Sequence, residues 1–249
     1  MPSWFQPLIR LLRRSGIVVA SARHRGVHYL DHVPATAFDD VLLRVFPDLR
    51  GLRFIQIGAN DGNCADPLRF FIDDFAWTGL MIEPRRANFS ALQLHRGSNP
   101  HLRLRRVAVD LAAGRRTIYD LSPAATASLP DWTRGLGSFS RARLEQATRE
   151  LDLPDTVITE EKVETVSWDR VWEEFGPGPC DLLVLDTEGY DLTLLRAAQL
   201  AAHRPRVILF EHACNSLADR IAFYRELLEL GYEIATCGGD TTASLPAVR

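Results

Sequence analysis

The segment Gln56-Ile57-Gly58-Ala59-Asn60-Asp61-Gly62 sets two glycines, an amide and an acid directly after a short β-branched and aromatic run, Arg53–Ile57. Glycine at positions 58 and 62 lets the backbone turn tightly and approach a ligand with no Cβ in the way. The loop lacks the GxGxxG spacing of a dinucleotide fingerprint, and a carboxylate at Asp61 would repel a pyrophosphate at the start of the following helix. A cofactor that carries a sulfonium and an ammonium and no phosphate, as S-adenosylmethionine (SAM) does, is compatible with that acid. Glu83, at the end of the next apolar run, is placed to accept hydrogen bonds from both hydroxyls of a ribose. Ala108-Val109-Asp110 falls where an adenine ring would lie, with Asp110 as acceptor for its exocyclic amine. These positions assign Gln56, Gly58, Asn60, Asp61, Gly62, Glu83, Ala108 and Asp110 to cofactor binding.

Two later segments, Asp186-Thr187-Glu188 and Glu211-His212, bring acids and an imidazole to the ends of two further apolar runs. Were a SAM-type cofactor bound and the acceptor a hydroxyl, methyl transfer would need that acceptor held in line and a group that removes its proton. Asp186 and His212 are expected to deprotonate or orient the acceptor hydroxyl, with Glu188 and Glu211 holding the substrate or tuning the base. A hard cation such as Mg²⁺ among Asp186, Glu188 and Glu211 is a variant of this reading, because such ions take oxygen ligands. Each residue also has a plain structural reading: Asp186 as the cap of the next helix, His212 as a satisfied core histidine. Tyr190, Trp132 and Phe139 offer aromatic surface to a sugar face or, equally, to the core.

These residues need elements to hold them. Apolar runs at Arg53–Ile57, Gly79–Glu83, Leu102–Val109, Val157–Val166, Asp181–Leu185, Arg206–Phe210 and Tyr232–Ala235 read as strands, separated by stretches with helical periodicity. Strands that alternate with helices imply βαβ units and a parallel sheet, and ligands of such sheets bind beyond the carboxyl ends of the strands. A helix at Ala37–Phe46 precedes the first strand. Residues 1–50 are expected to form a helical arm and 51–249 the catalytic domain. Within it, 122–155 mixes turn formers with one helical stretch at Arg141–Leu151 and reads as a substrate lid.

With 46% hydrophobic and 24% charged residues, a chain of 249 residues is long enough for one well-buried α/β core. Its formal charge of −3 argues against nucleic acid as a substrate. Cys64, Cys180, Cys214 and Cys237 include no CxxC pair, so reduced thiols in a cytoplasmic protein are expected. The first fourteen residues resemble a short basic amphipathic helix, suited to packing on the domain or to a weak peripheral membrane or partner contact. No run approaches the length of a membrane span.

The combination FIQIGANDG (54–62), WTGLMIEP (77–84), GLGSF (135–139), DLLVLDTEGYD (181–191), FEH (210–212) and GDTTA (239–243) resembles the FkbM family of SAM-dependent methyltransferases. The resemblance implies a class I methyltransferase fold, Rossmann-like, with a mostly parallel seven-stranded sheet and helices on both faces. It further implies SAM at the first three strand ends and O-methylation of a sugar, glycan or polyketide-like metabolite. Gly58, Asn60 and Gly62 match the family's cofactor loop, and Glu83 its ribose-binding acid. If the family sheet order holds, the strands ending before Asp186 and at Glu211 are neighbours. Gln56 stands where many methyltransferases carry an acid, and an amide orients a methionine ammonium less strongly. The alternatives are a nicotinamide-dependent oxidoreductase, which the glycine spacing and Asp61 disfavour, and a non-catalytic SAM-fold partner protein, which the rim acids disfavour.

Overall fold

The computed structural model describes residues 20–23, 26–29 and 36–246; the amphipathic segment 1–14 lies outside the described residues. The apolar runs form β3 (Arg53–Ile57), β4 (Thr78–Ile82), β9 (Leu182–Leu185) and β10 (Val207–Glu211). Near-continuous burial along each is what a central parallel strand requires, because both of its faces are covered. With β5 (Leu102–Arg105), β11 (Glu233–Cys237) and β12 (Asp240–Ser244) they build a seven-stranded sheet in the order β11-β12-β10-β9-β3-β4-β5. The pairs from β10 to β5 are parallel and the β11–β12 hairpin closes the edge antiparallel.

Strand alternation divides the core into two faces. Ile55, Ile57, Leu183 and Leu185 pack against α6 (Trp168–Phe175), α7 (Asp191–Ala197) and α9 (Leu217–Glu229). Phe54, Leu182 and Val184 face α1 (Thr36–Val45), α2 (Arg69–Phe75) and α3 (Arg86–Arg96) instead. In α1, Phe38, Val41, Leu42 and Val45 recur at helical spacing and are buried. After α7 the chain turns at Gln199, which takes a left-handed conformation, into the short helix α8 (Leu200–His203).

Several expectations change. The single strand over Leu102–Val109 breaks after Arg105. Its second part, β6 (Ala108–Val109), leaves the main sheet and pairs with β8 (Ile158–Val166) and β7 (Gly114–Leu121) in a separate three-stranded sheet, order β6-β8-β7. Within the first fifty residues, read as a helical arm, β1 (Ala20–Arg23) and β2 (Gly26–Tyr29) form an antiparallel hairpin ahead of α1. The insertion 122–155 carries α4 (Pro123–Thr126), a 3₁₀ turn at Asp131–Gly135 and α5 (Arg141–Glu150). It holds its own small core of Leu121, Leu136, Leu144 and Ala147. No helix among the described residues is long and apolar enough to cross a membrane.

Candidate active site

At the carboxyl ends of β3, β4 and β9 two cavities meet. Both are lined by Gly58, Asn60, Gly135 and Asp186. The backbones of the two central strand ends lie so close that a Cβ on Gly58 would stand 1.8 Å from the Asp186 carbonyl oxygen, and Gly58 has φ +80°. Only glycine permits that crossing. Asn60, also left-handed, donates its backbone N–H to Glu83 Oε2 at 3.0 Å.

The first cavity has apolar walls, including Ile57, Ile82, Val107 and Ala108, closed by Phe139 and Tyr190. Those two rings meet edge to face at 5.4 Å between centroids. Glu83 lies at its rim with the carboxylate buried. Oε1 accepts from the Arg85 backbone N–H and from Arg85 Nε, both at 3.0 Å, and Oε2 from Asn60. A carboxylate has about four acceptor sites, so roughly one remains here for a ligand hydroxyl, fewer than the two expected from sequence.

Three of the expected cofactor residues lie outside the cavities. Asp110 does not line the cavity; its carboxylate accepts from Tyr190 Oη at 2.8 Å, from the Leu111 N–H and from Arg116, so it holds the aromatic wall in place of an adenine amine. Asp61 Oδ1 accepts from the N–H groups of Asn63 and Cys64 and ties the loop to itself, outside both cavities. Gly62 likewise lies outside them and packs beneath Leu92 and Arg96. A ligand in either cavity would meet Gly58 and Asn60, not Asp61.

The second cavity, about 240 Å³, is lined by Gln56, Asp66, Trp132, Asp186, Glu188 and Asp240 among others. β9 and β10 are parallel neighbours, as expected, so Asp186 and Glu211 sit on one rim. Solvent reaches Asp186 through the cavity, yet the protein enclosing it, together with Glu188, Asp191, Glu211 and Asp240, pushes its pKa well above the usual carboxylate value. Burial also raises Glu211 to about 7 and Asp240 to about 6, with Glu188 and Asp191 adding to the effect at Glu211. Asp191, buried at the start of α7, is raised to about 6 by burial while it accepts from the Thr187 hydroxyl at 2.8 Å. Asp186 does not cap α7, whose N-cap is Tyr190 with no side-chain cap; Asp191 in the first turn ties Thr187 to the helix start.

Helix α5 supplies the counter-charge. Arg143 Nη2 donates to Glu188 Oε2 at 3.1 Å, and its Nε donates to Cys214 Sγ at 3.3 Å. The one group among the described residues with metal-binding proximity is Glu188, Glu211 and Cys214. It differs from the Asp186, Glu188, Glu211 set expected for Mg²⁺, and a guanidinium already contacts two of its members. Burial pushes the Cys214 thiol up to about 12, and sulfur is in any case a soft donor that suits Mg²⁺ poorly. The donor set does not fit Mg²⁺.

His212 is also reassigned. Adjacent residues of an extended segment point to opposite sides. Glu211 turns toward Glu188 and Cys214, whereas His212 is buried with Nδ1 2.8 Å from Thr241 Oγ1; neither lines either cavity. Burial lowers its pKa, which favours the neutral ring.

Sequence reading missed what the insertion does here. Ser138 Oγ donates to the Glu188 carbonyl at 3.0 Å, and Arg134 O accepts from Arg85 Nη1. Gly137 lies so near Arg85 that a Cβ would come within 2.5 Å of its Cδ. The motif GLGSF thus roofs both cavities. Arg85 is buried between Glu83 and Asp120, its charge stabilised by both. The signals for these roles were the GLGSF motif and the Glu-Pro-Arg sequence after β4.

Comparison with known proteins identifies a family for the chain. A family model described as "Methyltransferase FkbM domain" matches residues 56–234. No curated protein matches the sequence. Among solved structures, the methyltransferase FkbM from Methylobacillus flagellatus KT superposes with a TM-score of 0.51 at 14% identity, covering 84% of this chain and 46% of that one. The chain thus spans about half the length of that relative. The delta-N METTL16 MTase domain (TM-score 0.44, 11% identity, 98% and 97% covered) and fibrillarin from Aeropyrum pernix with natively bound S-adenosyl-L-methionine (0.39, 10%, 78% and 66%) are more distant. At such identities the likeness concerns the fold alone, and the fold is that of class I methyltransferases.

Proposed function

Taking as premise that this chain belongs to the FkbM methyltransferase family, we propose that it transfers the methyl group of SAM to a hydroxyl of a sugar, glycan or polyketide-like acceptor. The observation that carries this reading is the junction of an apolar cavity and an acid-lined one at Gly58 and Asp186. A nucleoside suits the first, with the Phe139 and Tyr190 rings as walls and Glu83 at the sugar. Positive charge suits the second, where Asp186, Glu188 and Asp240 converge. The chemistry such a cofactor supplies is an electrophilic methyl carbon on a sulfonium.

What the protein itself contributes is positioning and proton transfer. Asp186 has no hydrogen-bond donor among the described residues, faces both cavities, and has a raised pKa that makes its anion a stronger base than an ordinary carboxylate. It accepts the acceptor's hydroxyl proton. Glu188, fixed by Arg143 and by its own left-handed backbone, orients the acceptor, and exposed Trp132 at the cavity mouth offers a face to a sugar ring. Glu211 raises the basicity of Asp186 by like-charge repulsion.

The test is Asp186→Asn. Loss of a general base should lower kcat by about 10²- to 10⁴-fold. S-adenosylhomocysteine should still raise the melting temperature of the variant as it does that of the parent, whereas NAD should leave both unchanged. Full turnover in the variant removes Asp186 from the reaction, and stabilisation by NAD but not S-adenosylhomocysteine favours the oxidoreductase.

A further inference from the structure

A third space, an open groove of about 1100 Å³, shares Arg85 and Ile118 as a wall with the apolar cavity. It runs between the first turn of α3, helix α4 and the paired strands β7 and β8, where Thr117 lies opposite Lys162. Arg106 reaches it from the link between β5 and β6, where the chain leaves the main sheet.

The lining carries five cationic side chains, Arg85, Arg86, Arg106, Arg134 and Lys162, against three acids, a positive excess in a chain of net charge −3. All three acids are engaged. Asp120 accepts from Arg85 Nη1 at 3.2 Å, Glu161 from the Arg86 backbone N–H at 3.1 Å, and Glu160 from Arg141 Nη1 at 3.1 Å. The side chains of Arg86, Arg106 and Lys162, by contrast, are exposed and have no ion-pair or hydrogen-bond partner among the described residues. The hydroxyls of Ser90, Thr126 and Thr159 donate to backbone carbonyls, so the groove offers a neutral polyol little and an anion three open cations. Guanidinium and ammonium donors in this arrangement suit phosphate. The volume exceeds that of small-molecule pockets of roughly 300–1000 Å³, which leaves room for what the phosphate is attached to.

The groove also lies close to the reaction centre. At about 240 Å³ the acid-lined cavity is smaller than such pockets, so an acceptor seated at Asp186 extends past its mouth. The 3₁₀ turn Asp131–Gly135 stands between the two spaces, with Trp132 lining the cavity and Arg134 the groove. Asn88 of the groove donates to Asn60 of the cavities and to the Arg134 carbonyl, so one pair of side chains separates them. On the reading of the site as a SAM-dependent methyltransferase, we propose that this groove seats the phosphate of the acceptor. The substrate is then a sugar carrying a phosphate or diphosphate, with its hydroxyl at Asp186 and its anionic end at Arg86, Arg106 and Lys162.

The probes are uridine diphosphate glucose, inorganic pyrophosphate and glucose, titrated calorimetrically into the full chain in the presence of S-adenosylhomocysteine. The two phosphate compounds should bind, more weakly as salt is raised, and glucose at the same concentration should not. Replacing the three open cations together, Arg86→Gln with Arg106→Gln and Lys162→Gln, should weaken both by about 10-fold or more. Parental affinity for S-adenosylhomocysteine in that variant reports that it is folded. Absence of phosphate binding in the parent, undiminished binding in the variant, or displacement of S-adenosylhomocysteine by pyrophosphate overturns the inference. So does far tighter binding of a single-stranded RNA than of uridine diphosphate glucose, which would make the groove a nucleic-acid track. Failure of the parent to bind S-adenosylhomocysteine overturns the SAM reading instead, and the pyrophosphate titration repeated without it still decides whether the groove takes an anion.

Discussion

Asp186 and Glu211 end neighbouring strands, and at this scale charge crowding decides behaviour. Glu211, with a buried Oε2 that has no partner, is raised to about 7 from an ordinary 4.5. A carboxyl whose folded pKa lies above its unfolded one binds its proton more tightly in the native state. Its contribution to stability is full below about pH 4.5 and is lost as pH rises toward 7 and past it. Glu211→Gln, which needs no charge, should therefore be stabilising above pH 7, by about 2 kcal/mol after allowance for partial exposure, with the gain vanishing near pH 4. Urea titrations at several pH values measure this, and a pH-independent difference would refute the charge explanation. Gly58 and the acids of the rim were legible in sequence because residue type and place after a strand suffice to suggest them. The directions of Asp110 and His212 were not legible, since the direction of a side chain past a strand end depends on which neighbour captures it, here Tyr190 and Thr241.

The element that most changes the picture is the insertion. Its helix α5 begins at the Ser140 cap, and the first turn carries Arg143 onto Glu188 and Cys214, while Ser138 anchors the preceding loop to the Glu188 carbonyl. The insertion is thus tied to the rim acids by a cation. Arg143→Met keeps the length of the side chain and removes that charge. The acids it faces should then hold their protons to higher pH. The acid limb of kcat/KM should shift upward by on the order of one pH unit, with the rate above that limb reduced far less. A profile that drops uniformly at every pH would instead indicate a purely steric role. Sequence placed α5 correctly from its periodicity, but periodicity says nothing about where a helix docks.

For the whole molecule, the question is how far the core extends ahead of β3. Phe38 of α1 is fully buried and meets Phe71 of α2 edge to face at 6.1 Å, within the same apolar face as Phe54 and Trp77. Phe38→Ala should cost about 3–5 kcal/mol and lower the urea midpoint without changing ligand affinity in the folded protein. A loss below 1 kcal/mol would show that α1 only rests on the domain. The amino-acid sequence by itself determined the local order: which runs are strands, where helices cross over, which glycines let backbones touch, and that acids gather after two central strands. Those features follow from burial patterns and chain stereochemistry, which are properties of neighbouring residues. The tertiary structure alone decided that β6 and β8 leave the main sheet, that Arg143 of the insertion contacts Glu188 and Cys214, and that Gln56 and Asp66, ten residues apart, line one cavity. Each of those depends on which distant group fills a given volume or satisfies a given charge, and spacing along the chain does not encode that choice.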